Sequence, residues 1–234
     1  MKPEKAANYV KNKNRSLPEY QVGPFHIFVQ TPISENINVP SVFSEITNLL
    51  PDYFLNLIDV VYIGEFHFLK EREINAMYLD SAIYVSNIQD DSEDLIDDIV
   101  HEISHAVEEK YGQMLYSDEE IKNEFLLKRS KLKKILSSQE YDLSGLDFFK
   151  IEYDTDFDNF LYKEVGYDAL RVLAVDLFTG PYAITSLREY FGSSFEEYYL
   201  GNRLYLKELS PYIYRKLLLL NEKDLENLEY DDGL

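Results

Sequence analysis

The sequence predicts an α+β fold, and three features point to it. β-branched and aromatic runs bounded by Gly, Pro or Asp-Ser cluster in the first 90 residues. Helix-period patterns fill the rest, and neither an internal repeat nor a linker-like shift divides the 234 residues. A chain this long can bury a sizeable core. With 45% hydrophobic and 15% aromatic residues, it has a folding composition. The expected organisation is one domain over 18–225, between a polar leader (1–17) and an acidic tail (226–234).

The elements follow in order. "GPFHIFVQTP" (23–32) predicts a strand, and the three- and four-residue apolar spacing of 39–53 predicts a helix closing near Pro51. "IDVVYIGEF" (58–66) is a short buried strand, and 75–87 reads as two strands joined around Asp80-Ser81. An acidic helix over 94–112 follows, with Asp90 or Asp91 as its cap and Gly112 as its stop. A mixed-charge amphipathic helix covers 118–137, and a polar Asp- and Tyr-rich segment covers 138–160. Helices at 162–178 and 187–201 flank a turn-rich loop at 179–186. The last helix, 210–223, has Ser210 as cap and Pro211 at its first position.

Charge and composition exclude several functions. Forty-three acids against 23 bases leave a formal charge of −20, which repels phosphate backbones and anionic lipid. Nucleic acid and membrane are therefore not expected partners. The absence of cysteine removes disulfides and a cysteine nucleophile. The basic N-terminus has no apolar core of signal-peptide length, and no apolar run is long enough to span a membrane. A cytoplasmic protein is the default expectation, with virion association or non-classical export left open.

The chemistry concentrates in "HEISH", residues 101–105. On a helix, His101 and His105 project from one face about one turn apart, so both imidazoles can reach one ion. Glu102 sits on the neighbouring face, suited to accept a proton rather than to bind metal. Leu95, Ile96, Ile99, Ile103 and Val107 form an apolar stripe that would bury the helix, which favours neutral imidazoles. Two histidines are too few for a hydrolytic zinc site, which takes three protein ligands. The other two histidines, His26 and His67, lie in the strand region and are expected to be non-ligands, and none follows the motif. The third ligand is then a downstream carboxylate, and two glutamates stand out. Glu164 has Asp168 one turn later, a spacing that also makes an ordinary surface pair. Glu189 closes "SLRE" (186–189), which also reads as a capping box that would occupy its carboxylate.

"HEISHAVEEKYG" together with "YAITSLREYFGSSFEEYYL" resembles the catalytic domain of anthrax lethal factor and its smaller relatives, the Pro-Pro endopeptidases. In that family a HExxHA(V/I) helix is followed by a later helix of the form E-F-F-A-E-(A/S)-F-x-x-(Y/M). The glutamate that opens the later helix is the third zinc ligand, and a tyrosine seven residues before it stabilises the oxyanion. Glu189 and Tyr182 occupy those positions. "LKELSPYIYRKL" is similar to the family's closing helix, and the resemblance covers the motif helix and about 180–218. Ser193 stands where the family has a second acid, and His105 and Glu189 are 84 residues apart, which implies an insertion within 113–165.

The resemblance implies a zincin-like fold, with a small twisted mixed sheet packed on the HExxH helix and a helical C-terminal half. It implies one Zn²⁺ held by His101, His105 and Glu189, with Glu102 as general base and Tyr182 as oxyanion donor. The expected activity is that of a gluzincin-type zinc endopeptidase acting on a peptide or protein substrate. The strand at 82–86 is expected at the sheet edge, with Ala82, Tyr84 and Ser86 contacting an extended substrate. The sequence also fits a catalytically silent zincin-fold binding protein, for example a phage-associated one, or an intracellular regulatory peptidase with a single partner protein. It leaves the oligomeric state open.

Overall fold

The computed structural model describes residues 18–221, so the expected leader and acidic tail lie outside the described residues. The chain divides into two compact units, Met1–Ile99 and Val100–Leu234.

The first unit carries a five-stranded mixed sheet in the order β1-β2-β3-β5-β4. β1 (Glu19–Val22) and β2 (Phe25–Val29) form a hairpin whose two-residue loop opens with Gly23 at φ +55°, a conformation that suits glycine. β1 has no counterpart in the sequence reading, because its polar, half-exposed residues carry no apolar alternation. β3 (Val60–Gly64) pairs parallel with β2, and β5 (Ala82–Ser86) pairs parallel with β3. β4 (Ala76–Leu79) turns back onto β5 through Asp80 and Ser81, both at positive φ, as a primed two-residue turn requires.

This hairpin corrects the expected edge strand. β5, with Ala82, Tyr84 and Ser86, is hydrogen-bonded on both sides, so its backbone has no free edge for a substrate. Among the described residues the outer strand on that side is β4.

Alternation sorts the two sheet faces. Phe25, Ile27, Val29, Val61, Ile63, Ile83 and Val85 are buried, and helix α1 (Val39–Leu49) covers their side, with Phe43 edge-on to Phe25 at 5.2 Å. On the other face Phe28, Tyr62 and Tyr84 stack in one cross-strand row, 5.7 and 5.2 Å apart. The helix expected over 39–53 is two pieces. α1 is capped by Asn38, whose side chain accepts from the Ser41 N–H, and α2 (Asp52–Leu55) restarts after Pro51. A further short helix, α3 (His67–Arg72), precedes β4.

Helix α4 (Ser92–Tyr116) carries the chain from the first unit into the second. Gly112 does not stop it. Its φ is not left-handed, and the helix continues through the buried Leu115.

The second unit is helical. α5 (Glu120–Ser138), α8 (Leu187–Tyr199) and α10 (Pro211–Asn221) bury Phe125, Leu132, Tyr190, Phe191, Phe195, Ile213 and Leu217. Burying each such side chain is worth about 1.5–3 kcal/mol. Asn202 caps α9 (Arg203–Leu209), which the sequence reading left unassigned. The single helix expected over 162–178 is broken. α6 (Thr155–Asn159) runs into a π turn (Phe160–Val165), and Gly166 at φ +82° separates that turn from α7 (Tyr167–Leu173).

The undetermined stretch after α5 is fastened by Arg129, which is 1% exposed. Its guanidinium donates to the Lys150 and Asp147 carbonyls and lies 3.9 Å from the Phe157 ring. Among the described residues no helix is long and apolar enough to cross a membrane.

Candidate metal centre

His101, Glu102 and His105 sit in the middle of α4, and each offers a ligand-type atom within 4.8 Å of the others. The apolar stripe read from the sequence is buried throughout: Leu95, Ile96, Ile99, Ile103 and Val107 are at most 5% exposed. The two imidazoles stand edge to face, with centroids 4.8 Å apart. Glu102 and His105 are buried and His101 is nearly so.

Glu189 reaches this pair from the first turn of α8. Its Oε2 lies 2.9 Å from His101 Nε2 and 3.8 Å from His105 Nε2. The competition with helix capping is resolved by dividing the box. Ser186 caps α8 by accepting from the Glu189 backbone N–H at 3.1 Å, while the Glu189 carboxylate faces the histidines. Burial pulls the Glu189 carboxyl upward. The His101 hydrogen bond and the charges of His105, His101 and Arg188 outweigh burial and hold it below the usual carboxylate range.

The alternative ligand Glu164 does not join the cluster. It is exposed on the π turn, and its companion Asp168 pairs with Arg171 at the surface. The π turn and Gly166 break the helical register that placed Glu164 and Asp168 on one face. His26 and His67 are both exposed, and neither belongs to the metal-type cluster.

Two residues that the sequence reading did not select complete the surroundings of His101. Glu196, two turns after Glu189 on α8, binds the opposite ring nitrogen, Nδ1, through Oε1. Gly192, between them, makes room for the imidazole: a Cβ at that position would stand 2.7 Å from His101 Cε1. Burial alone would depress the His101 pKa, but the hydrogen bonds to Glu189 and Glu196 raise it well above the ordinary histidine value. An acid at 196 was legible only as one of 43, because its partner is 95 residues away in sequence. On the far side, His105 Nδ1 is buried without a hydrogen-bond partner among the described residues, and Glu108 Oε2 lies 3.9 Å from it.

Tyr182 opens a short 3₁₀ turn (Tyr182–Ile184) after Pro181. Its ring centroid is 6.3 Å from that of His101, and the residue is 38% exposed. Burial of the hydroxyl, then the Glu189 charge, push its pKa well above 10, so it stays protonated and can donate.

Two imidazoles and a carboxylate are donors of the type that zinc takes. Ligand atoms at about 2.0–2.1 Å from one zinc lie about 3.3 Å from each other. The Glu189 oxygen, at 2.9 and 3.8 Å from the two Nε2 atoms, brackets that spacing. The carboxylate on His101 Nδ1 orients the ring with Nε2 towards Glu189, and a carboxylate on the other nitrogen is the way histidine ligands are commonly oriented.

Compared with models of known protein families, with curated proteins and with solved structures, the chain has no match in any of the three.

Proposed function

We propose that the chain is a zinc-dependent endopeptidase of the gluzincin type, with His101, His105 and Glu189 as metal ligands. The observation that carries this reading is the Glu189 carboxylate, which faces both Nε2 atoms although its own helix cap offered it another partner. The sequence resemblance to the lethal-factor and Pro-Pro endopeptidase family supports the same three ligands.

A bound zinc ion would supply Lewis acidity, which polarises a peptide carbonyl and brings a ligated water's pKa to about 7. Around it the side chains divide the work. The Glu102 carboxylate accepts the proton of the attacking water and delivers it to the leaving amine nitrogen. The Tyr182 hydroxyl donates a hydrogen bond to the carbonyl oxygen as negative charge develops there. The Glu196 carboxylate holds the Nδ1–H of His101, which fixes the ring orientation and keeps Nε2 directed at the metal.

The test is peptide-library hydrolysis by the zinc-loaded wild type and by Glu102→Gln. The wild type is expected to cleave, and the variant to keep its zinc while losing about 10²–10⁴ of the rate. Equal rates in the two contradict the proposed base. Bound zinc without cleavage by the wild type supports the silent, binding-protein reading instead.

A further inference from the structure

A second group of side chains lies next to Tyr182 and is not used by the chemistry above. Asp158, on α6, accepts hydrogen bonds from the Tyr153 hydroxyl at 2.7 Å and the Tyr167 hydroxyl at 3.4 Å. Tyr162, on the π turn, sets its ring edge-on to Tyr167 with centroids 5.3 Å apart. The group is close to the metal centre: Asp158, Tyr153 and Tyr167 all act electrostatically on the Tyr182 hydroxyl, and the Tyr182 ring neighbours His101.

Two of these rings are open to solvent rather than packed in the core. Phe125, Phe148, Phe157, Phe178, Tyr190 and Phe191 are sunk in the core, whereas Tyr153 and Tyr162 are 49% and 55% exposed. The backbone under them is also irregular. Single-turn π segments are rare and concentrate at functional sites, and Gly166 at φ +82° joins this one to α7. The nearby cations are engaged elsewhere, Lys150 with Asp154 and Arg171 with Asp168. Among the described residues Lys163, exposed on the same turn, makes no ion pair and Asp158 has no cation partner.

We propose that Asp158 with Tyr153, Tyr162 and Tyr167 forms a subsite for a basic side chain, arginine or lysine, of the peptide substrate. Aromatic faces attract a cation through the negative face of the ring. The carboxylate has four acceptor positions, of which the two hydroxyls use two, so it can still take an ammonium or a guanidinium. The two hydroxyls hold the carboxylate in place without neutralising it. The subsite lies in the 113–165 stretch and its flank, where the family resemblance does not extend. The inference rests on the peptidase reading for its substrate, and on the tyrosine–aspartate cluster alone for its chemistry.

The test separates the two. Two pools of blocked decapeptides are offered to the zinc-loaded chain, identical except that one contains arginine and lysine and the other glutamine and norleucine in their place. The expected result is a kcat/KM about ten-fold higher for the basic pool. That preference should fall towards parity in Asp158→Asn and in Tyr162→Ala, the latter at an exposed position where folding is not at stake. Parity in the wild type, or a preference that both variants retain, overturns the subsite. Binding is read without turnover by titrating Nα-acetyl-arginine methylamide into isotope-labelled Glu102→Gln protein and following the backbone amides of 153–167. Shifts that Asp158→Asn removes, with neither pool cleaved by the wild type, keep the subsite and reject the peptidase. Cleavage of the pools without such shifts does the reverse.

Discussion

Gly192 lies against the imidazole of His101, so close that a Cβ would sit 2.7 Å from Cε1. The family pattern has alanine there and an acid at the next position. This chain has Gly192 and Ser193 instead, and its acid on His101 is Glu196, one turn further along α8. In this chain Gly192 leaves the room that the ring occupies, and Glu196, four residues further along α8, supplies the acceptor for its Nδ1.

Gly192→Ala should therefore displace His101, which two carboxylates hold in place. Zinc affinity, measured by competition with a chelator of known strength, is expected to fall about 10–100-fold, in the range seen when support of a ligand is lost. The helix itself should gain slightly from the alanine, so the thermal midpoint of the metal-free protein need not fall with the affinity.

Removing the acceptor should act in the same direction. Glu196→Ala is expected to weaken zinc about 10–100-fold, and Glu196→Gln, which keeps a carbonyl acceptor, to weaken it less. Equal affinities for Glu196→Ala and the wild type would show that Glu196 does not orient His101.

Burial pushes the Lys128 ammonium down to about 8, although Glu124 beside it pulls the other way. The unfolded chain keeps that proton up to its ordinary value of 10.5. Between about pH 8 and 10 the unfolded state therefore binds more protons, and stability should rise with pH. Denaturant unfolding at pH 7.5 and 9.5 should show a gain of at most about 2 kcal/mol in the wild type. Lys128→Met should lack this gain. A slope shared by both proteins would assign it to other groups.

Arg129→Met should cost about 3–5 kcal/mol, because it leaves the Lys150 and Asp147 carbonyls without their buried donor. The loss should be visible as a lower thermal midpoint. It should also appear as proteolytic nicking within 139–154, the stretch that Arg129 ties down and whose Ile151 carbonyl accepts from the Leu187 N–H at the start of α8.

Features set by near neighbours were legible in the sequence. His101, Glu102 and His105 follow from helix periodicity within one turn, and the β4–β5 turn from Asp80-Ser81; the Ser210 cap does not, because Glu124, far away in sequence, accepts from the Tyr212 and Ile213 N–H groups while the Ser210 hydroxyl accepts from Lys128. Features set by distant partners were not. Glu189 had two readings, a cap and a ligand, and only the resemblance favoured the second; in the folded chain its backbone serves the first role and its carboxylate is turned to the histidines. Glu196 and Gly192 depend on a ring some 90 residues away. The place of β5 inside the sheet depends on which strand folds back on it, which its own residues do not encode. The π turn at 160–165 has the same apolar spacing as an ordinary helix, so Glu164 looked like a candidate until its register was known.

The most direct test of the account is zinc stoichiometry and affinity of the purified chain beside Glu189→Ala and Glu164→Ala. One zinc per chain is expected in the wild type and in Glu164→Ala, with at least about a 100-fold loss of affinity in Glu189→Ala. Wild-type affinity in Glu189→Ala, or its loss in Glu164→Ala, would contradict the ligand set on which the proposed chemistry depends.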